Sequence, residues 1–115
     1  MQVMIKQPNK FGESSYHGVT LLATPGDLIR LCQCRDIEYR NNNGLGDKSN
    51  FDFEFETQTG VFFTVSDWQE HRSLDFEENI HFHIGAKDKK DSLIGRDALC
   101  TDLNHLKNKI NDVLE

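Results

Sequence analysis

The strictest constraint in this sequence is an alternation. Phe51, Phe53 and Phe55 alternate with Asp52, Glu54 and Glu56. A period of two belongs to a strand buried on one side, because successive side chains point to opposite faces. The three Phe therefore share one face and the three acids the other. A slip of one residue would bury the acids, so the register is firmly specified. Gln58-Thr59-Gly60 then supplies a short turn, with glycine available for a positive φ. The next run sets Val61, Phe63 and Val65 on one face and Phe62, Thr64, Ser66 and Trp68 on the other. A third run sets Ile80, Phe82 and Ile84 against His81 and His83.

Joined side by side, the apolar faces form one continuous surface that needs a helical cover. The remainder of the chain supplies it. Thr24-Pro25-Gly26-Asp27 opens a helix: Thr24 is a good N-cap, Pro25 fits the first helical position, and Asp27 suits the positive helix end. Leu28, Ile29, Leu31 and Cys32 give that helix an apolar side, and it is expected to end near Gln33. Leu99, Leu103, Leu106, Ile110 and Val113 or Leu114 make the stripe of a second helix, with Asp97 near its start. Lys87 to Asp91 reads as a solvated turn before it.

Tyr16 to Ala23 reads as a strand, with a shorter one at Gln2 to Ile5 and an edge strand within residues 35 to 40. Asn41 to Asp47 is a loop by composition, and Gln69 to Asn79 a charged surface loop. The fold expected is α+β: an antiparallel sheet of about four or five strands with two helices packed on one face, in the order β-α-β-β-β-α. Residues 1–15 form a polar N-terminal arm, and 16–115 a single domain, which suits a length of 115 residues.

Composition narrows the function. Thirteen basic residues against 19 acidic leave a net charge of −6, which disfavours direct nucleic-acid binding. No apolar run approaches the ~20 residues needed to cross a bilayer, and Met1 to Ser15 has no apolar core of a signal peptide. Three cysteines fit reduced thiols in a cytoplasm better than a disulfide framework. Cys32-Gln-Cys34 has no second pair at ligand spacing, so no structural metal and no cofactor are expected.

The open face carries the candidate site: Glu54, Glu56, Trp68, His81 and His83, with Asp47 and Lys48 in the adjoining loop and Asp67 at a strand end. Asp67 follows Val61, Phe63 and Val65 in parity and so points toward the core, where a carboxylate needs a partner. Trp68 is a large aromatic on a polar face, a common mark of a binding surface. His81 and His83 share a face, and with Glu54 or Glu56 they would make a mixed metal site for a metal-dependent hydrolase. A flat, solvated strand face offers no pocket to tune such groups. The cysteines and serines carry no nucleophile signature. The balance therefore favours a binding protein over an enzyme.

Tyr16-His17-Gly18, Thr24-Pro25-x-Asp27-Leu28-Ile29, Gly46-Asp47-Lys48-x-Asn50-Phe51, Val65-x-Asp67-Trp68 and His83-Ile84-Gly85 together carry a resemblance. Over Tyr16 to Gly85 the chain resembles small acidic proteins encoded by bacteriophages and related mobile elements. That group has no established activity, so it assigns no catalytic residue. The resemblance implies an accessory role in an infected bacterial cytoplasm, such as blunting a host defence system. The partner would be a host protein or a small anionic signalling ligand, and an open sheet edge would allow homo-oligomers.

Overall fold

The structure is a computed structural model that describes residues 5–9, 14–41, 51–67 and 75–114, without the side chains of 41 and 109–114. The elements run β1 (Ile5–Lys6), β2 (Ser15–Ala23), α1 (Pro25–Arg35), β3 (Tyr39–Asn41), β4 (Phe51–Thr57), β5 (Phe62–Ser66), β6 (Ile80–Ala86) and α2 (Lys89–Leu114). Six antiparallel strands form one sheet in the order β1-β4-β5-β6-β2, with β3 also paired to β4. This is the expected α+β architecture with more strands than anticipated. β1 has two residues and β3 three, next to the short strands expected at Gln2 to Ile5 and within residues 35 to 40, and they share the outer edge of β4.

The alternation fixes the faces as argued. Cross-strand pairs Phe53↔Val65, Phe55↔Phe63, Val65↔Ile84 and Leu21↔Phe82 put the large apolar side chains of the central strands on one side, except Phe62, which pairs with Glu56 on the other. Phe51, Phe55, Phe63, Val65, Phe82 and Ile84 are all fully buried there. The phenylalanines interlock, with ring centroids 6.0 Å apart for Phe53–Phe55 and 5.5 Å for Phe55–Phe63. Such pairs add to the burial of their own area.

Both helices cover this face. Thr24 caps α1 as its sequence predicts, its Oγ1 accepting the Asp27 N–H at 3.0 Å. The helix runs on to Arg35, two residues past the expected end, and closes on Asp36 in the left-handed region at φ 57°. Arg35 then donates to the buried carboxylate of Asp102 at 2.7 Å, tying the end of α1 to α2.

α2 starts earlier than its apolar stripe implies. Lys89, Lys90 and Asp91, expected in a turn, form its first turn, and Asp88 caps it by accepting the Asp91 N–H at 2.8 Å. Asp97 consequently lies well inside the helix. Leu99, Leu103 and Leu106 are buried as the stripe requires. Gly95 permits the closest approach: a Cβ there would lie 2.5 Å from Cγ of Phe63. None of the described helices is long and apolar enough to cross a membrane.

Candidate functional site

The polar face of the sheet is built from cross-strand rows. One row runs Arg40–Asp52–Ser66–His83–Thr20. The next runs Glu54–Thr64–Gly85–Tyr16. Each row inherits its residue types from the alternation, since the partner of every buried phenylalanine neighbour must face solvent.

Where β2 meets β6 the pairing is irregular. Tyr16↔Gly85 and Thr20↔His83 enclose four residue steps on β2 against two on β6, and Gly18 takes φ 82° within that bulge. Bulges re-aim side chains. Here the Tyr16 ring comes to stack on His83, with centroids 4.1 Å apart and planes 13° apart. His17 turns the other way, and its Nε2 donates to the Ala86 carbonyl at 3.1 Å. Gly85 leaves room for the chain above it: Ser14 and Thr64 hydroxyls hydrogen-bond at 2.6 Å, and a Cβ on Gly85 would lie 2.5 Å from Ser14 Oγ.

Toward the opposite edge the face sinks into a groove of about 570 Å³. Its polar lining includes Glu38, Arg40, Asp52, Glu54, Thr64 and Ser66. The groove exists because the edge of β4 is covered in two pieces. β3 pairs with Phe51 to Phe53 and β1 with Glu56 and Thr57, and the Gln7 side chain joins them by accepting the Glu38 N–H at 2.8 Å. Tyr39 walls this junction, its ring stacked 5.7 Å from that of Phe53.

The charges in the groove are unbalanced. Extending the Tyr39↔Phe53 register by one residue sets Glu38 opposite Glu54. Like charges facing each other across a strand pair are unfavourable. Among the described residues neither carboxylate has an ion-pair partner, whereas Glu56 pairs with Lys6 at 3.0 Å.

The sequence-predicted residues separate into three groups. Glu54 and His83 do lie on the open face, and His81 is exposed beside Leu22. Glu56 has the expected parity but is buried, because β1 adds outside it and Lys6 covers it. Asp67 is 1% exposed and accepts the Phe51 N–H at 2.8 Å, so it anchors the start of β4. Asp47, Lys48 and Trp68 lie outside the described residues, as do 42–46 of the expected loop and 69–74 of the charged segment.

The histidines and the acids are not assembled into a metal centre. β5 stands between β6 and β4, which separates their backbones by roughly 10 Å, two strand spacings. Among the described residues no group of three or more His, Cys, Asp or Glu is placed to hold a metal ion. Cys32 is buried, and burial pushes its thiol up to about 12. Arg30 pairs with Asp27 and Glu77, and Arg35 with Asp102.

Sequence reasoning missed Tyr16, Ser14, Gln7 and Glu38. Tyr16 was readable in part, since it shares parity with Thr20 and Leu22 on β2. The others depend on which strands become neighbours.

Comparison of the chain with protein-family models, with curated proteins and with solved structures gives no match.

Proposed function

We propose that this chain is a small non-enzymatic binding protein that receives a basic surface of a protein partner in the groove of its open sheet face. The carrying observation is the groove itself, whose lining holds Glu38 and Glu54, neither with an ion-pair partner among the described residues, beside the hydroxyls of Thr64 and Ser66. A partner lysine or arginine would relieve the Glu38–Glu54 opposition by donating charge-assisted hydrogen bonds to their carboxylates. The net charge of −6 acts in the same direction, steering a basic partner toward the protein. An anionic small ligand is less well served, because Glu38 and Glu54 line the groove with no ion-pair partner among the described residues.

The resemblance to phage-encoded proteins supplies the setting we propose: a host protein occupied in the cytoplasm of an infected bacterium. Occupation needs no turnover, which agrees with a shallow solvated site.

The test is an NMR titration with a short oligoarginine peptide as the probe. Shifts confined to Arg40, Asp52, Glu54, Thr64 and Ser66, weakened by salt and lost in Glu54→Lys, are the expected result. Shifts spread evenly over the acidic surface, or unchanged in Glu54→Lys, refute the reading.

A further inference from the structure

The two edges of the sheet are built differently. The β4 edge is covered by strands of two and three residues, flanked by Pro8 and carrying Lys6, Glu38 and Arg40. Short strands, charges and proline are the usual protections of an edge against pairing with another chain. β2, at the other edge, has none of them along its length. Its nine residues, Ser-Tyr-His-Gly-Val-Thr-Leu-Leu-Ala, contain no Asp, Glu, Lys, Arg or Pro in a chain that is 28% charged.

Among the described residues no strand pairs with the outer side of β2. Its backbone donors and acceptors there lack a sheet partner. β2 also carries Tyr16 and Leu22, 52% and 55% exposed, two of the four exposed large apolar side chains among the described residues.

We infer that β2 is a self-association edge, pairing antiparallel with β2 of a second copy of this chain. A second copy is the occupant that the charges select. Each chain carries −6, so two copies are held apart wherever acids face each other, and an uncharged strand is where they can meet. The sequence is also self-complementary. The Gly18 bulge limits regular backbone to Val19–Ala23, and a two-fold axis through Leu21 sets Val19 opposite Ala23 and Thr20 opposite Leu22 of the other copy. Both Thr20–Leu22 pairs then lie on the open face, as β-branched and apolar cross-strand neighbours.

The axis stands perpendicular to the sheet, so the six strands of each copy continue into one twisted sheet. Both grooves then open on the same side, and both helical layers lie on the other. A bivalent surface of this kind strengthens attachment to a partner that repeats its basic site. The dimer itself does not depend on the groove reading, and salt separates the two: salt weakens a basic partner in the groove but strengthens the contact of two like-charged copies.

The experiment is sedimentation velocity on the full chain over a wide concentration series, at low and moderate salt. The expected result is a dimer that forms more readily in salt, is lost in Leu22→Lys and persists in the control Ile94→Lys, whose side chain is exposed on α2. A monomer at every concentration overturns the inference. So does a dimer that Leu22→Lys leaves intact. Hydrogen exchange on the wild type guards against a variant that fails to fold: amides of Val19–Ala23 gain protection as concentration rises, and unchanged protection there overturns the proposal as well.

Discussion

Gly95→Ala sets two effects of known sign against each other. In an ordinary helix interior the change stabilises by about 1 kcal/mol, because glycine loses more backbone freedom than alanine. At this position the new Cβ would stand 2.5, 2.7 and 2.9 Å from Cγ, Cδ1 and Cδ2 of Phe63. The ring cannot swing away, since Phe63 is fully buried and lies against Phe55 at 5.5 Å. Overpacking of a filled core costs about 1–3 kcal/mol, and a contact with the root of a ring belongs in the upper part of that range. The net expectation is a loss of about 1–2 kcal/mol.

A double-mutant cycle with Phe63→Leu isolates the clash. Phe63→Leu alone destabilises by opening space, and Gly95→Ala in that background should turn stabilising by up to ~1 kcal/mol. Urea unfolding of the four proteins, followed by far-ultraviolet circular dichroism, gives a coupling of about 2–3 kcal/mol. Stabilisation by Gly95→Ala in the wild-type background, or the same change in both backgrounds, would refute the seating of α2 on Phe63.

The same assay should show Asp67→Ala costing about 1–3 kcal/mol by leaving the Phe51 N–H without its acceptor, with Asp67→Asn costing less. Thiol labelling of the folded protein should modify exposed Cys34 first, Cys100 slowly, and Cys32 only on unfolding, as mass spectrometry of timed samples would show. Partial burial pushes the Asp27 carboxyl up, but the Arg30 hydrogen bond and the Lys107 charge outweigh it, and the net shift is downward. Asp27 therefore contributes stability that is present above the ordinary carboxylate range and lost as pH falls through its folded value. Thermal unfolding should find Asp27→Asn less stable than wild type at pH 7, with the gap closing in strong acid. Glu54→Gln should raise stability by about 0.2–1 kcal/mol in urea unfolding by removing a like-charge neighbour, while weakening oligoarginine binding in the titration.

What could be read from the sequence follows the range of the interactions. β4, β5 and β6 declare themselves because each alternates over its own length, and α1 because Thr24, Pro25 and Asp27 mark its start locally. β1 and β3 carry too few residues to alternate, so the short strands expected at Gln2 to Ile5 and within residues 35 to 40 lacked firm bounds, which hydrogen bonds to a distant β4 supply. The first turn of α2 escaped for another reason. Lys89, Lys90 and Asp91 are polar, and the buried residue there is Ser92, whose hydroxyl bonds the Asp88 carbonyl at 2.9 Å. No apolar period reaches that far.

The site divides in the same way. Parity alone places Asp52, Glu54, Thr64, Ser66 and His83 on one face. Parity does not say what lies beside them. Glu56 has the parity of Glu54, yet β1 buries one and leaves the other in the groove. Tyr16 reaches His83 because β2 pairs with β6, strands far apart in the chain.

That division bears on why the acids are there. If Asp52, Glu54 and Glu56 served only to hold the register, any polar residues would do, and threonine or glutamine would do it without repulsion. Glu56 has been answered by Lys6 at 3.0 Å, as a register device at a covered edge would be. Glu54 instead shares the lining of the groove with a second glutamate, Glu38. A local rule broken at a concave position, beside one where the same rule is kept, is the pattern of a site shaped for something outside the chain. A positively charged partner, as we propose, would answer the carboxylates of Glu38 and Glu54.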